Sequence, residues 1–424
     1  MRHTVSSNQK KFTMMHAALG IWILSVVVCV GRGHHHIGHT KEAQDTVNSD
    51  DNSVSLVTSA NKDFAFRLYK KLAAHADSQG KNIFYSPASV SAALAALSVG
   101  AREDTHRQLF SGLGFNNSQL TQTDVAQSFR ILLDKANATS QDTSEGTAVF
   151  MDTRFKPQPE FLEVLKESYF ADGFNVDFTK ITESADTINK YVSDKTNGKI
   201  DKLVDSLDEN TFMYLISYIY YKGKWATPFD PKLTKEDMFN VEKNDQVAVQ
   251  MMNMEEDFDT YYDQAINTSV LHLPFNSSYS MLLLLPDDMA TLESAICPGH
   301  VTKWLKWMKS RRYDIFIPKF SIKSSYKLND VLTEMGMSDM FSDRADLSGI
   351  SEGQKLVVSE VVHQATLDVD EAGATAAAAT GIGITLLSFR HIPVMKFNRP
   401  FMVLITERNT ENILFLGKII NPNK

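Results

Sequence analysis

One serine stands in a pattern that catalytic serines use. Residues 349–353 read Gly-Ile-Ser-Glu-Gly, which places Ser351 in a Gly-x-Ser-x-Gly motif. A nucleophile elbow needs a buried strand before the serine and a helix after it. Here the preceding stretch, residues 342–348, is polar. The sequence therefore predicts a surface turn and not a catalytic serine. It contains no His-Glu-x-x-His, Walker or dinucleotide motif, so we expect neither an enzyme nor a cofactor.

Histidines and cysteines offer little metal or redox chemistry. The histidines at positions 34–36 and 39 lack acidic or cysteine partners at ligand spacing, so no metal site is predicted. Cys29 lies in a predicted signal segment, which leaves Cys297 as the only cysteine of the mature chain. An internal disulfide is therefore excluded. We expect a buried, inert thiol, with intermolecular pairing as the alternative.

A segment near the C-terminal end consists of small residues. Residues 371–388 read EAGATAAAATGIGITLLS, with only alanine, glycine and threonine from Ala372 to Thr380. A flexible linker or a short helix is one interpretation. The segment would also fit between the strands of a sheet, because it brings neither bulk nor charge. Extended at ~3.3 Å per residue, it would span about 55 Å. Alternate residues would then face the core: Ala374, Ala376, Ala378 and Thr380.

The remainder of the chain must form the scaffold for this segment. The 424 residues are 43% hydrophobic and 22% charged with a net charge of −8, which is globular composition and argues against nucleic acid as the main partner. Helices are predicted around Phe64, Leu68 and Leu72 and over Ser89–Gly100. Apolar runs predict six strands: Leu215–Tyr221, Met281–Leu285, Tyr313–Ile317, Val361–Val369, Met402–Thr406 and Ile413–Ile420. This order favours an α+β fold in a single domain.

The first 33 residues have the pattern of a secretory signal peptide. Arg2, Lys10 and Lys11 precede an apolar run over residues 14–30, and small residues follow it. A membrane anchor is the alternative. Residues 34–54 are predicted to be a flexible tail before a folded domain over 55–424. Four N-glycosylation sequons fit an extracellular location; they begin at Asn116, Asn137, Asn267 and Asn276.

Several blocks in a fixed order carry a family resemblance. The chain resembles the serpins, within the secreted antitrypsin/antichymotrypsin-like group, over about residues 55–424. The blocks are Asn82-Ile-Phe-Tyr-Ser-Pro-Ala-Ser-Val-Ser, Thr196-Asn-Gly-Lys-Ile200, Tyr221-Lys-Gly-Lys-Trp225, Ala345-Asp-Leu-Ser-Gly349, the segment from Asp370, Phe397-Asn-Arg-Pro-Phe401, and Phe415-Leu-Gly-Lys-Ile-Ile-Asn-Pro422.

The resemblance implies a fold and a mechanism. The fold would have three β-sheets, eight or nine helices and an exposed reactive-centre loop over about residues 371–395. A serine protease attacks the loop of such a protein and forms an acyl-enzyme. The cleaved loop then inserts into the large sheet and carries the protease with it, which traps a covalent 1:1 complex. The inhibitor is a monomer that acts as a suicide substrate and has no activity as an enzyme.

The position of the bond that is cut follows from the same resemblance. Serpin hinges place the scissile residue sixteen positions after the hinge glutamate, which from Glu371 gives the bond Leu387–Ser388. Leucine fits the primary pocket of a chymotrypsin-like protease, and an elastase-like pocket less well. Cleavage after Arg390 is the alternative, and it would suit a trypsin-like enzyme.

Two groups of residues would control insertion of the loop. The hinge comprises Glu371, Gly373, Ala374, Thr375, Ala376, Ala377, Ala378 and Ala379, and Ala374 stands where inhibitory serpins usually have threonine or serine. The shutter and breach, where the sheet opens, comprise Ser86, Ser89, Ser217, Trp225 and His363. The family often has asparagine at the position of Ser217, where it bonds the matching histidine. Serine is shorter, so a weaker or water-mediated bond is expected.

The sequence leaves two further binding partners as alternatives, a polysaccharide and a small hydrophobic hormone. Residues 300–312 read HVTKWLKWMKSRR and predict a basic helix with Lys303, Lys306 and Lys309 on one arc and Arg311 and Arg312 at its end. A solvated helix face is the favoured interpretation. The alternative is a heparin-like polysaccharide, because the segment resembles the heparin-binding helix of a serpin in the same group. A carrier serpin that binds a small hydrophobic hormone is the alternative to an inhibitor.

Overall fold

The first two helices that the sequence predicts are present in the structure. The structure is a computed structural model and describes residues 49–139, 143–353, 355–372 and 392–424. In it Phe64, Leu68 and Leu72 are buried along one side of the first helix. That helix begins at Ser49, so residues 49–54 are helical and not part of a tail. Asp50 and Asp51 lie in its first turn, where carboxylates interact favourably with the helix dipole.

The helices of the described residues pack against both faces of a five-stranded sheet. They are α1 Ser49–Ala74, α2 Pro87–Gly100, α3 Glu103–Leu113, α4 Gln122–Thr139, α5 Pro159–Tyr169, α6 Ile181–Lys195, α7 Met289–Ala295, α8 Pro298–Trp307 and α9 Asn329–Glu334. Helix α2 is buried on nearly all sides, which explains why its alanines, leucines and small serines show no polar face. In the described residues no helix is long and apolar enough to cross a membrane.

All six predicted strands are present; five are longer than predicted, by one to five residues, and the last ends one residue earlier. The strands are β1 Ile83–Tyr85, β2 Thr143–Asp152, β3 Asp172–Val176, β4 Met213–Tyr221, β5 Lys235–Glu242, β6 Asp245–Asp263, β7 Thr268–Pro274, β8 Tyr279–Pro286, β9 Lys309–Pro318, β10 Phe320–Lys327, β11 Glu360–Val369, β12 Val394–Lys396, β13 Phe401–Glu407 and β14 Ile413–Ile419.

The strands form two hydrogen-bonded networks. One is a five-stranded sheet in the order β10-β11-β4-β2-β3. The other contains nine strands and is organised around the long β6. The N-terminal part of β6 pairs with β5, its middle pairs with β9, and its C-terminal end pairs with β7. The α+β class is confirmed. Two of the three sheets that the resemblance implied are joined here through β6, because one continuous strand belongs to both.

The basic segment after α8 differs from the sequence prediction. The helix ends at Trp307, and Lys309 already begins β9. Met308 has extended backbone angles, and residues 309–318 then pair along β6 from Lys309 opposite Thr260 to Pro318 opposite Met251. The ladder of β6 therefore overrides the local helical pattern. Lys309, Arg311 and Arg312 lie on a strand and not on the predicted helix.

The motif around Ser351 is a turn, as its polar flank predicted. No strand precedes it and no helix follows it among the described residues. Ser351 itself is buried at 3% exposure, whereas Glu352 and Gly353 are exposed. The serine is therefore enclosed by the fold and not presented at the surface.

Candidate functional site

The centre of the five-stranded sheet contains a parallel seam. Strands β4 and β11 lie side by side in register, from Tyr214 opposite Glu360 to Tyr221 opposite Leu367. Their outer neighbours β2 and β10 pair with them antiparallel. A strand that followed β11 through a reversal of the chain and entered this seam would run antiparallel to both. Parallel pairs are slightly less stable than antiparallel pairs, so such a strand would replace one weaker ladder with two stronger ones.

His363 bridges this seam from the middle of β11. Its side chain is fully buried. Nδ1 lies 3.1 Å from Oγ of Ser217 on β4, which is also its partner in the register. Nε2 accepts a hydrogen bond of 2.9 Å from the backbone N–H of Ser86, at the N-terminus of α2. One imidazole thus ties together β11, β4 and the buried helix. The bond to Ser217 is direct, although serine is shorter than the asparagine common in the family.

The hydrogen bonds of His363 define its protonation. Because Nε2 accepts from a backbone N–H, the single proton of a neutral ring must sit on Nδ1 and be donated to Ser217. Burial lowers the pKa of His363 to about 3, against which the contact at Ser217 acts only in part. The imidazole is therefore neutral at physiological pH, and adding a proton at Nε2 would break the bond to Ser86.

A chain of polar groups continues from Ser86 away from the seam. Ser86 Oγ caps α2 by accepting from the backbone N–H of Ser89 at 3.1 Å. It also donates to Ser89 Oγ at 3.0 Å, and Ser89 Oγ donates to the Glu145 carboxylate on β2 at 3.2 Å. Burial raises the pKa of Glu145, an effect that the hydroxyl of Ser89 opposes in part. Sequence reasoning missed Glu145, because nothing near it in the chain signals this contact.

The opposite face of β11 carries polar groups whose hydrogen bonds are not made. Gln364 is fully buried, and neither its carbonyl oxygen nor its amide nitrogen has a partner among the described residues. The hydroxyl of Thr366, two residues on, is in the same condition. Leaving a buried polar group unsatisfied costs about 1–3 kcal/mol. A rearrangement of β11 that gave these side chains partners would therefore be favoured by the hydrogen bonds formed.

Trp225 fixes the chain where it leaves β11. Its side chain is buried and stacks on Phe275, with ring centroids 4.6 Å apart. The indole N–H donates to the backbone carbonyl of Asp370 at 2.7 Å, and the backbone N–H of Trp225 donates to the carbonyl of Ala372 at 3.0 Å. Two hydrogen bonds thus hold the first residues after β11 against the core.

Glu371 forms a second attachment at the same place. Its carboxylate lies 2.7 Å from Nζ of Lys319 and accepts a hydrogen bond of 2.7 Å from the hydroxyl of Thr234. The side chain is only 12% exposed. Burial opposes ionisation of Glu371, but the bonds from Lys319 and Thr234 outweigh it and lower the pKa. We call Glu371, Lys319 and Thr234 the latch. Sequence reasoning found Glu371 but neither of its partners.

The remaining hinge and loop residues lie outside the described residues. These are Gly373, Ala374, Thr375, Ala376, Ala377, Ala378, Ala379, Leu387, Ser388 and Arg390. The described chain ends at Ala372 beside Trp225 and resumes at Ile392, just before β12 pairs with β9. The latch and β12 therefore bound the candidate loop.

The predicted polysaccharide residues are divided between two elements and are partly neutralised. Lys303 on α8 lies 2.9 Å from the buried carboxylate of Asp263, which also accepts from the Trp304 indole at 2.8 Å. Arg312 on β9 contacts Glu255 and Glu256 at 3.3 and 3.5 Å. Lys306 lies over the ring of Trp307. Lys306, Lys309 and Arg311 are exposed.

The asparagines of all four sequons are at the surface. Asn116, Asn137, Asn267 and Asn276 are exposed, so each is accessible to a glycosylating enzyme. Asn116 and Asn276 lie in loops, Asn267 lies in the turn between β6 and β7, and Asn137 lies near the end of α4.

Comparisons with known proteins agree with this geometry. Residues 59–422 match the family described as Serpin (serine protease inhibitor). Serpin A3-5 of Bos taurus is 41% identical over 373 residues, which cover 87% of this chain and 90% of the relative. Alpha-1-antichymotrypsin of Pongo abelii is 39% identical over 376 residues, with 87% and 88% covered. A crystal structure of human thyroxine-binding globulin complexed with thyroxine aligns with a TM-score of 0.82 at 35% identity, covering 88% of this chain and 100% of that one.

We expect His363→Asn to flatten the pH dependence of stability. The unfolded histidine takes up a proton near its ordinary pKa of about 6.5, but the native one does not until about 3, so the native state loses stability as pH falls through this window. Asparagine can accept from Ser86 and donate to Ser217 without titrating. The slope of unfolding free energy against pH should fall by up to about 1.4 kcal/mol per unit, measured by urea unfolding. Equal slopes for the variant and the parent chain would contradict a neutral native His363. The control is His75→Asn, which removes a half-exposed histidine away from the seam.

We expect Lys319→Met to destabilise the native state by about 1–3 kcal/mol, because it leaves the mostly buried carboxylate of Glu371 without its cation. Lys323→Met is the matched control. It makes the same change four residues later, where the pair with Asp201 is exposed and contributes less than about 1 kcal/mol. The measurement is the urea midpoint of the native transition at neutral pH. If both variants shift the midpoint equally, the latch does not contribute more than an ordinary surface ion pair.

Proposed function

The chain belongs to the serpin family of serine protease inhibitors, and from this premise we propose that it traps chymotrypsin-like proteases through cleavage of the Leu387–Ser388 bond. The observation that carries this proposal is the closed parallel seam between β4 and β11. The chain leaves β11 directly into the candidate loop, which is the position that an inserting strand requires. The small, uncharged residues from Ala372 to Thr380 would enter without burying an unpaired ion.

The proposed reaction stops halfway along an ordinary proteolysis. The protease serine attacks the carbonyl carbon of Leu387, the peptide bond breaks, and the amine of Ser388 leaves with a proton from the protease histidine. An ester now joins Leu387 to the protease serine. Insertion of the loop moves this ester along the sheet before water can hydrolyse it. The protein thus acts as a monomeric suicide substrate and forms a covalent 1:1 complex.

Energetics of the described contacts support insertion after cleavage. The seam exchanges one parallel ladder for two antiparallel ones, while the bond between His363 and Ser217 and the latch are given up. Before cleavage the segment is anchored at both ends, at Ala372 beside Trp225 and at β12. Cleavage frees one end, so the segment can extend fully in the seam. The stored free energy is then available to move the protease.

Leucine as the scissile residue favours a protease with a large apolar pocket. An apolar side chain of this size fills the primary pocket of chymotrypsin-like enzymes, whereas a trypsin-like pocket needs a cation. Elastase-like enzymes are the second class that accepts such a loop, and cleavage after Arg390 is the alternative for trypsin-like ones. Similarity to alpha-1-antichymotrypsin is consistent with the first of these.

A carrier function is the second candidate. The structural likeness to thyroxine-binding globulin complexed with thyroxine favours it, because that serpin binds a small hydrophobic molecule. The candidates differ in their response to a protease: an inhibitor forms a complex that survives denaturation, whereas a carrier is cleaved without one.

Secretion and its consequences belong to the same proposal. We propose that residues 1–33 are a cleaved signal peptide, that the protein is extracellular, and that the exposed sequon asparagines carry glycans. The basic residues near α8 are a weaker basis for binding a heparin-like polysaccharide, since Lys303 and Arg312 are already paired with carboxylates. Because these two cations are already neutralised, an ordinary solvated surface is favoured there over a polysaccharide site.

We expect the parent chain to form an SDS-resistant complex with chymotrypsin and to release a fragment that begins at Ser388. Leu387→Arg should lower the rate of complex formation with chymotrypsin by at least about 100-fold and create inhibition of trypsin, because the two primary pockets select apolar and cationic residues. Arg390→Ala is the control and should leave chymotrypsin inhibition unchanged. Clean cleavage without any complex would favour the carrier instead.

We expect Ala374→Arg to convert the inhibitor into a substrate. The first residue to insert would then bring a guanidinium into the sheet interior, which costs several kcal/mol when no partner is present. Ala374→Thr carries the residue common in inhibitory serpins and is the control; it should still form the complex. The readout is the ratio of complex to cleaved protein on a denaturing gel, together with the melting temperature after cleavage. An arginine variant that inhibits normally, or a cleaved chain that melts no higher than the intact one, would rule out insertion as the trapping step.

A further inference from the structure

A cavity lies between the two strand networks, on the side of the molecule covered by α4. It has a volume of about 240 Å³. Its apolar wall includes Phe129, Leu132, Leu133 and Ala136 of α4 together with Tyr279 and Leu414. A cavity of about 150 Å³ holds a benzene molecule, so this one has room for a larger aromatic compound. None of the three latch residues lines it.

Three side chains that line the cavity carry oxygen atoms able to accept hydrogen bonds. Asn61 of α1 is 4% exposed and lines the cavity, and its Oδ1 has no partner among the described residues. Asn412, just before β14, also lines it, and its buried Oδ1 is in the same condition. Glu145 adds a carboxylate whose one described bond comes from Ser89. Buried acceptors without donors are costly, so a ligand that supplies donors gains free energy at these points.

We propose that this cavity binds a compact, mainly apolar ring compound that carries hydrogen-bond donors, such as a hydroxylated bicyclic aromatic. The rings would pack against the apolar wall on α4, and the hydroxyl groups would donate hydrogen bonds to the oxygens of Asn61, Asn412 and Glu145. The preference for donors is confined to these three side chains, because Lys135, Ser278 and Thr410 elsewhere in the lining can donate.

A ligand in this cavity would also affect the opening of the seam between β4 and β11. Three hydrogen bonds connect Glu145 to the seam, in the order Glu145, Ser89, Ser86, His363. It lies on β2, which is paired to β4 and would move with it when a strand enters beside β11. Asn61 and Asn412 belong to elements outside that sheet. The cavity walls would therefore shift against one another by up to one strand spacing, about 4.8 Å.

A ligand that fits the closed form is expected to slow insertion. It binds the native arrangement and not the expanded one, so it stabilises the native form by mass action. This consequence rests on the proposed loop insertion, whereas binding itself does not. The two parts are separated by measuring binding on the intact protein, without any protease.

The experiment compares 2-naphthol with 2-methoxynaphthalene by isothermal titration of the intact protein. The two probes share a ring system, but only the first has a hydrogen-bond donor. We expect 1:1 binding of 2-naphthol at least about tenfold tighter than that of the methoxy compound, as the loss of one hydrogen bond to a buried acceptor implies. Ala136→Phe should abolish binding by filling the cavity. The matched control is Ala138→Phe, the same change at an exposed position of the same helix, which should leave binding intact.

Each alternative result has a definite meaning. Failure of 2-naphthol to bind, equal affinity for the two probes, or full binding by Ala136→Phe would overturn the site. A second measurement records the rate at which the native form, with 2-naphthol at saturation, is converted to the chymotrypsin complex. A rate that falls in the parent chain but not in Ala136→Phe supports coupling to the seam. An unchanged rate with normal binding overturns the coupling alone, and a chain that binds 2-naphthol but never forms a complex overturns the inhibitor proposal while leaving the site in place.

Discussion

The contact between neighbouring β4 and β11 is the constraint on which the molecule depends. This parallel seam in the middle of a mixed sheet is closed by its backbone ladder and by apolar side chains of both strands, and a few polar contacts fix its middle and its end. The bond between His363 and Ser217 holds its middle, and Trp225 with the latch holds the end from which the chain departs. Each contact is strong enough to define one closed arrangement. Each also consists of one or two hydrogen bonds, of the order of 1 kcal/mol net apiece, which an inserted strand can replace.

Stored free energy in this fold has identifiable locations. Gln364 and Thr366 are buried on β11 without partners among the described residues, on the face of the strand opposite to His363. A typical domain is stable by only about 5–15 kcal/mol, so a few such groups are a sizeable fraction of the total. A rearrangement of β11 that gave these two side chains hydrogen-bond partners would be favoured by the bonds formed.

Local patterns predicted the scaffold well and the contacts across it poorly. The strands on both sides of the seam, Leu215–Tyr221 and Val361–Val369, could be found because buried strands are continuous apolar runs. Glu371 and Trp225 could be found because they stand in blocks that the family shares. Thr234 and Lys319 could not, since each reaches Glu371 across a long stretch of chain and stands in no such block. The helix predicted beyond Trp307 failed for a related reason: the pairing of β9 with β6 is a tertiary interaction that a window of neighbouring residues does not contain.

The two polar closures of the seam both require the deprotonated form of their titrating group, so protonation weakens both only on the acid side of neutrality. His363 holds the seam only while neutral, and burial lowers its pKa to about 3. Glu371 holds the latch best while ionised, and although burial alone would raise its pKa, the bonds from Lys319 and Thr234 lower it overall. Both contacts are therefore intact at neutral pH, and the stability linked to His363 falls as the pH drops from about 6.5 towards about 3. A protein with a seam built to open must not open by chance in its working environment. Placing both titrations on the acid side leaves attack on the loop as the event that releases the stored free energy.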